Sequence, residues 1–283
     1  MAQQIPLGEQ ARADLDDDSI AHEIVPDIAF ARLGIVNVVF YGARNAGDRN
    51  WVLIDAGVFG TRSLIEAAAL ERFGEGARPS AIVMTHGHFD HVGALEDLAE
   101  AWDVPVYAHP DEEPYLDGRQ SYPPPDPSVG GGLMALSSSL FPRKPVNVGR
   151  RLRLLPQDGS VPPMPGWRWL HTPGHTPGHV SFWRESDRAL IVGDAFVTTA
   201  QESVYAALTQ KSEMHGPPMY FTPDWISARE SVRKLAALEP EIVVTGHGRP
   251  MRGPAMRRAL HQLARDFDAV AVPKQGRYVP AAE

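Results

Sequence analysis

Residues 86–91 read His86-Gly87-His88-Phe89-Asp90-His91, at the end of the apolar run Ala81-Ile82-Val83-Met84. That run has the length and composition of a buried strand. Four metal-capable side chains are therefore delivered together where a strand stops. Three imidazoles and a carboxylate this close are costly to bury without partners. With 11 histidines in the chain, the pattern arises by chance in roughly one such chain per thousand. A metal site is the economical explanation, because neutral imidazole and carboxylate are ligands that zinc, iron and manganese accept.

Composition narrows the chemistry. The 283 residues include no cysteine, which leaves neither a disulfide framework nor a thiolate metal site. Any metal must be held by His, Asp, Glu and water. A hydrophobic fraction of 43% and a charged fraction of 22% are ordinary for a soluble globular protein with a sizeable core. The net charge of −8 argues against a nucleic-acid partner bound through phosphate neutralisation. It allows a small anionic substrate, since a bound dication can dominate the local field. No apolar run reaches the roughly 18 residues of a membrane span. The start is polar and acidic, with Asp14, Asp16, Asp17 and Asp18 where a secretory signal needs an apolar stretch. The expectation is a cytoplasmic protein with a small-molecule substrate and no nucleic-acid or membrane partner. Its oligomeric state is left open, a homodimer included.

Residues 1–24 read as an N-terminal arm and 25–283 as a single domain. Short β-like runs at 28–33, 35–41 and 51–54 precede a helical pattern at 63–73, with Leu64, Ile65, Ala68 and Phe73 along one side. A helix at 92–102 and a strand at 104–108 follow the histidine-rich turn. This strand–loop–helix–strand order is that of an α/β unit, whose sites collect at the carboxyl ends of strands. Residues 110–165 hold 12 of the chain's 26 prolines, too many for continuous regular structure. The stretch is read as a lid with a helical middle near 133–140; a linker or a partner-binding surface is the alternative. Strand patterns return at 151–155, 167–171, 179–183, 189–192 and 241–245. Before the last of these a helix is expected, with Thr222 as N-cap, Pro223 at its first position, and Ile226, Val232, Leu235 and Leu238 on its apolar side. A final helix is expected over 254–267. Two β-rich sheets between helices fit this order.

Three later positions sit where apolar strands stop and glycine-rich turns begin. Thr172-Pro173-Gly174-His175-Thr176-Pro177-Gly178-His179 places two imidazoles in a loop that proline stiffens and glycine frees. Val192-Gly193-Asp194-Ala195 ends a strand with a carboxylate, and Thr245-Gly246-His247-Gly248 ends another with an imidazole.

With these motifs, and Ile54-Asp55-Ala56-Gly57 before them, the chain resembles hydrolases of the metallo-β-lactamase fold, in the glyoxalase II-like branch. The motifs appear in the family's order and cover roughly residues 27–255. The resemblance implies an α/β (α+β) αββα sandwich of two mixed sheets with the metal site at one edge. It implies two zinc ions, with iron or manganese as alternatives: one held by His86, His88 and His175, the second by Asp90, His91 and His247, with Asp194 bridging. Asp55 would orient the cluster loop from behind. His179 has no ligand role in the pattern. The implied reaction is hydrolysis, in which a metal-bridging hydroxide attacks a small ester, lactone or thioester and Asp90 handles the proton.

Departures from particular subfamilies blur the substrate. Only 36 residues follow His247, where glutathione-thioester hydrolases carry a long helical domain. Val197 stands where the fold's acyl-homoserine lactonases have a tyrosine. Asp194 points away from true zinc β-lactamases. A phosphoester or β-lactam hydrolase, and a mononuclear iron dioxygenase acting on sulfur substrates, stay open as alternatives. The segment from Tyr205 to Tyr220 and on to Phe221 is aromatic and methionine-rich. His215, Met219, Tyr220 and Phe221 either line an acyl pocket or pack as a small core under the lid.

Overall fold

The computed structural model describes residues 5–8, 11–12, 19–130, 133–199 and 212–279. The chain divides into two compact units. One, here the histidine-loop unit, comprises residues 14–122 and 143–167; the other, the C-terminal unit, comprises 1–13, 123–142 and 168–283.

The histidine-loop unit is built on a seven-stranded mixed sheet. Its strands run in sequence order: His22–Val25, Ile28–Leu33, Val36–Tyr41, Val52–Ile54, Ala81–Val83, Val106–Ala108 and Leu152–Leu154. The first four form an antiparallel meander and the last four are parallel. A parallel strand covered on both faces reads as unbroken apolar sequence, and Ala81, Ile82 and Val83 are all fully buried. Helix Arg62–Phe73 buries Ile65, Ala68, Ala69, Arg72 and Phe73. Leu64, expected on that side, is 50% exposed; one residue off the stripe turns a side chain about 100° around the helix. Trp51 stacks on Phe73 at 4.4 Å and meets Trp102 edge-on.

Arg72 is buried, pairs with Glu23 at 2.9 Å and donates to the carbonyls of Pro26 and Gly42. This pins the His22–Val25 strand, so regular structure begins inside the segment read as an arm. Further back, Ile5–Pro6 pairs with Glu213–Met214 in the C-terminal unit, and Ala11 is fully buried there. The acidic run at 13–18 lies outside the described residues.

The helix after the histidine loop spans Leu95–Trp102, three residues later than its apolar pattern begins. The amides of Gly93 and Ala94 are committed to the carbonyls of Gly57 and Ala56, at 2.7 and 3.0 Å, and are not available to a helical turn. A Cβ at Gly93 would lie 2.0 Å from the Val58 carbonyl carbon; only glycine permits this approach.

The C-terminal unit holds a five-stranded sheet in the order Met251–Arg252, Ile242–Thr245, Ala189–Gly193, Val180–Arg184, Trp167–His171. Ala189–Gly193 and Ile242–Thr245 are parallel, and both therefore release their next residues at the same end of the sheet. Helix Trp225–Ala236 links them, capped by Asp224, whose carboxylate accepts from the Ser227 amide at 3.0 Å. The cap is not Thr222. With the start two residues later, Trp225, Ala228, Val232 and Leu235 face inward, and Ile226 is 58% exposed. The last helix covers Gly253–Arg265, and Phe267 belongs to a separate turn, Phe267–Val270.

The proline-rich stretch is shared between the units. Pro110–Glu112 and Glu113–Leu116 are short helices of the histidine-loop unit; Leu133–Ser137 and Ser138–Leu140 are short helices of the C-terminal unit. Among the described residues, no helix is long and apolar enough to cross a membrane.

Candidate metal centre

In the histidine-loop unit the ligand turn hangs on one carboxylate. Asp55 follows strand Val52–Ile54 in left-handed backbone, φ 61°, a conformation that Asp tolerates better than most residues. Its Oδ1 accepts from the Thr85 amide, and its Oδ2 accepts from both the Thr85 hydroxyl and His91 Nδ1, each at 2.8 Å. A carboxylate only accepts, so His91 carries its proton on Nδ1 and its lone pair on Nε2. The Thr85 hydroxyl, its proton given to Asp55, accepts in turn from His86 Nδ1 at 3.0 Å. His86 is thereby set in the same tautomer. One aspartate thus orients two imidazoles, the second through a threonine.

His88 packs edge-on against His86, centroids 4.8 Å apart, and against the ring of Tyr122 at 4.5 Å. His86 and His91 centroids lie 4.2 Å apart. Between the first two histidines, the Gly87 amide donates to Glu112 Oε2 and to the Tyr122 hydroxyl, both at 2.9 Å. That hydroxyl donates to Glu112. Burial, reinforced by the Glu112 carboxylate, pushes the Tyr122 phenol well above its ordinary range, so it is protonated and able to donate. His86, His88, Asp90 and His91 are all buried.

In the C-terminal unit three donors come from three strand ends. Asp194 Oδ2 lies 3.0 Å from His247 Nε2 and 3.5 Å from His175 Nε2. Gly174 has φ +131°, and a Cβ there would meet the Ala228 amide nitrogen at 2.4 Å; this close approach to the helix sets the loop that carries His175. The Thr222 hydroxyl donates to the Pro218 carbonyl at 2.8 Å. Towards His175 Nδ1, 3.2 Å away, it is therefore an acceptor, and His175 Nε2 carries the lone pair. His179, without a ligand role in the sequence pattern, accepts from the Asp194 amide through Nε2 at 2.8 Å, and its Nδ1 faces the Thr172 hydroxyl at 2.9 Å. It holds the backbone of the carboxylate.

The structure thus gathers Asp55, His86, His88 and His91 within one unit, and His175, Asp194 and His247 within the other. Buried nitrogen and oxygen donors with their tautomers set by protein acceptors suit a borderline dication such as zinc or ferrous iron. The aromatic segment goes the other way. Met219, Tyr220 and Phe221 form a buried turn, with Phe141 against both rings, centroids 6.1 and 6.2 Å away, and the Asp126 amide on the Tyr220 carbonyl. This is the small-core arrangement. His215 exchanges two backbone hydrogen bonds with Val197 and is buried. Tyr205 lies outside the described residues.

Sequence reading passed over Thr85, Glu112 and Tyr122, and took Thr222 for a helix cap. Thr85 adjoins the motif and could have been found by asking what orients His86. Glu112 and Tyr122 had no signal, since both sit in the proline-rich stretch.

The family model of the metallo-beta-lactamase superfamily matches residues 31–247, an interval that includes every residue of both clusters. The chain belongs to this superfamily and is a metallo-hydrolase. Its mixed sheets with flanking helices are those of the metallo-β-lactamase fold. It is 50% identical over 236 residues to the probable metallo-hydrolase YflN of Bacillus subtilis (strain 168), covering 83% of this chain and 89% of that protein. It is 30% identical over 115 residues to the hydroxyacylglutathione hydrolase GloC of Haemophilus influenzae, covering 40% of this chain and 48% of that one. Among solved structures it is similar to TTHA1623 in a di-iron-bound form, with a TM-score of 0.51, 28% identity, and coverage of 83% of this chain and 96% of that one.

Proposed function

We propose that the two clusters serve one dinuclear centre and that the enzyme hydrolyses small carbonyl esters, lactones or thioesters. His86, His88 and His175 would hold one ion, Asp90, His91 and His247 the other, and Asp194 would be shared. Two such dications lower the pKa of a water towards neutrality and polarise a carbonyl oxygen. Asp90, the carboxylate of the turn, would take up a proton and pass it to the leaving group. Asp55, Thr85, Thr222 and His179 keep the donors aimed, and burial of all seven keeps bulk water from competing.

One observation carries the reading: His86, His91 and His175 each have Nδ1 against a protein oxygen acceptor, a device that orients metal-ligating imidazoles. That GloC is a hydroxyacylglutathione hydrolase supports a thioester as one candidate substrate. The di-iron form of TTHA1623 makes iron a real competitor to zinc.

The test is elemental analysis of protein purified without added metal, followed by an ester, lactone and thioester panel. Two equivalents of zinc per chain with turnover of at least one substrate class is expected. A chain without divalent metal would end the proposal, as would one iron with oxygen uptake on a sulfur substrate. Undiminished turnover in Asp90→Ala with its metal intact would remove the proton-carrying role of that residue alone.

A further inference from the structure

The buried pair Glu112 and Tyr122 has no place in the ligand set, yet it meets the ligand turn at its centre. A carboxylate taken out of water costs several kcal/mol unless it is well hydrogen-bonded, and Glu112 is fully buried. Its Oε2 does not cap its own helix. It accepts from the amide of Gly87, the residue between His86 and His88, and from the Tyr122 hydroxyl. The Tyr122 oxygen accepts from the same amide at 2.9 Å. The ring of that tyrosine lies against His88, 4.5 Å between centroids, and stacks on Tyr115 at 3.8 Å. The fit at Gly87 is close: a Cβ there would come 2.8 Å from the Tyr122 hydroxyl and 3.2 Å from Leu116.

Asp55 controls His86 and His91 through their rings. Nothing in that arrangement reaches His88 or the peptide before it. We propose that Glu112 and Tyr122 are positioning residues for metal binding, which fix the Gly87 peptide and the plane of His88 so that His86 and His88 present their nitrogens to one ion. The inference rests on the reading of those two histidines as ligands of the same ion. On this reading both act through the Gly87 peptide and the His88 ring, and neither is itself a ligand.

The experiment titrates metal-free full-length protein with Co2+, following the visible absorption of each bound equivalent. The variants are Tyr122→Phe, Glu112→Leu and Glu112→Gln. Wild type should take up two equivalents. Tyr122→Phe should weaken one of them about tenfold and alter its spectrum, and leave the other unchanged; loss of an orienting partner behind a ligand costs roughly 10–100-fold in affinity. Glu112→Leu should be weaker still, whereas Glu112→Gln, whose amide oxygen still accepts from Gly87, should stay within about threefold of wild type. A purely structural role would lower thermal stability of the metal-free protein without singling out one equivalent. The inference is overturned if Tyr122→Phe binds both equivalents as wild type does, or if Glu112→Gln is as impaired as Glu112→Leu. Should Glu112→Leu fail to fold, Tyr122→Phe, which loses a single oxygen, decides the matter. A wild-type chain that takes up no cobalt would overturn the metal reading and this inference together, a result distinct from tight, unaltered binding in the variants.

Discussion

The two candidate ligand clusters of this chain are built on opposite principles. In the histidine-loop unit, four donors occur within six residues, and one carboxylate, Asp55, orients two of them. In the C-terminal unit, His175, Asp194 and His247 come from three strand ends, and each has its own support: Thr222 behind His175, His179 behind the Asp194 backbone, and the parallel strand pair beneath Asp194 and His247. A local cluster concentrates risk, because one substitution disturbs several ligands. A dispersed cluster spreads it, because the sheet register does the gathering. The same metal chemistry can thus be reached through a motif or through topology.

The largest effect should come from the dispersed cluster, at the one residue that escapes this distribution. Asp194→Ala removes the carboxylate that meets both His175 and His247, and kcat/KM should fall by about three orders of magnitude, or ~4 kcal/mol. A loss below tenfold in steady-state assays would break the view of Asp194 as the centre of its cluster. Next, Gly93→Ala drives a methyl into the Val58 backbone and should destabilise the histidine-loop unit by about 3 kcal/mol in denaturant unfolding, as overpacking does. Unchanged stability would mean that the turn relaxes more freely than its hydrogen bonds suggest.

The contrast itself is tested by a pair. Asp55→Asn leaves an amide that can donate where two donors now converge, and metal affinity by competition with a chelator should drop about 10–100-fold. Thr222→Val removes one acceptor from one imidazole and should cost about 1 kcal/mol of binding, near fivefold. Equal losses from both would erase the distinction between shared and individual support. Smallest of all, Leu64→Lys and Ile226→Lys should each change stability by no more than about 0.5 kcal/mol, because both side chains are exposed. A larger loss would restore them to the apolar faces on which periodicity placed them.

Those two residues show where periodicity runs out. The patterns at 63–73 and 222–238 mark helices correctly, but the face depends on the first residue of the helix. Asp224 rather than Thr222 caps the second, which frees Thr222 to hold His175. A single hydroxyl can cap a helix or orient an imidazole, and local sequence does not distinguish the two uses. The early helix start at Val92 failed for a related reason, since the Gly93 and Ala94 amides bond across to residues 56 and 57. The aromatic segment could be read as pocket or as core; Phe141, 79 and 80 positions before Tyr220 and Phe221, packs against both rings as in a core, and no local pattern links it to them.

The histidine-rich turn, the strand-end Asp194 and His247, and the absence of thiolates were legible residue by residue, because ligand identity and strand-end placement are local properties. Ring tautomers, the shared use of Asp55, the anchoring of Asp194 by His179, and the Glu112–Tyr122 pair under Gly87 were not. These rest on contacts between residues as far as 47 positions apart, and only chain folding brings such groups within hydrogen-bond reach and strips the water that would otherwise satisfy them.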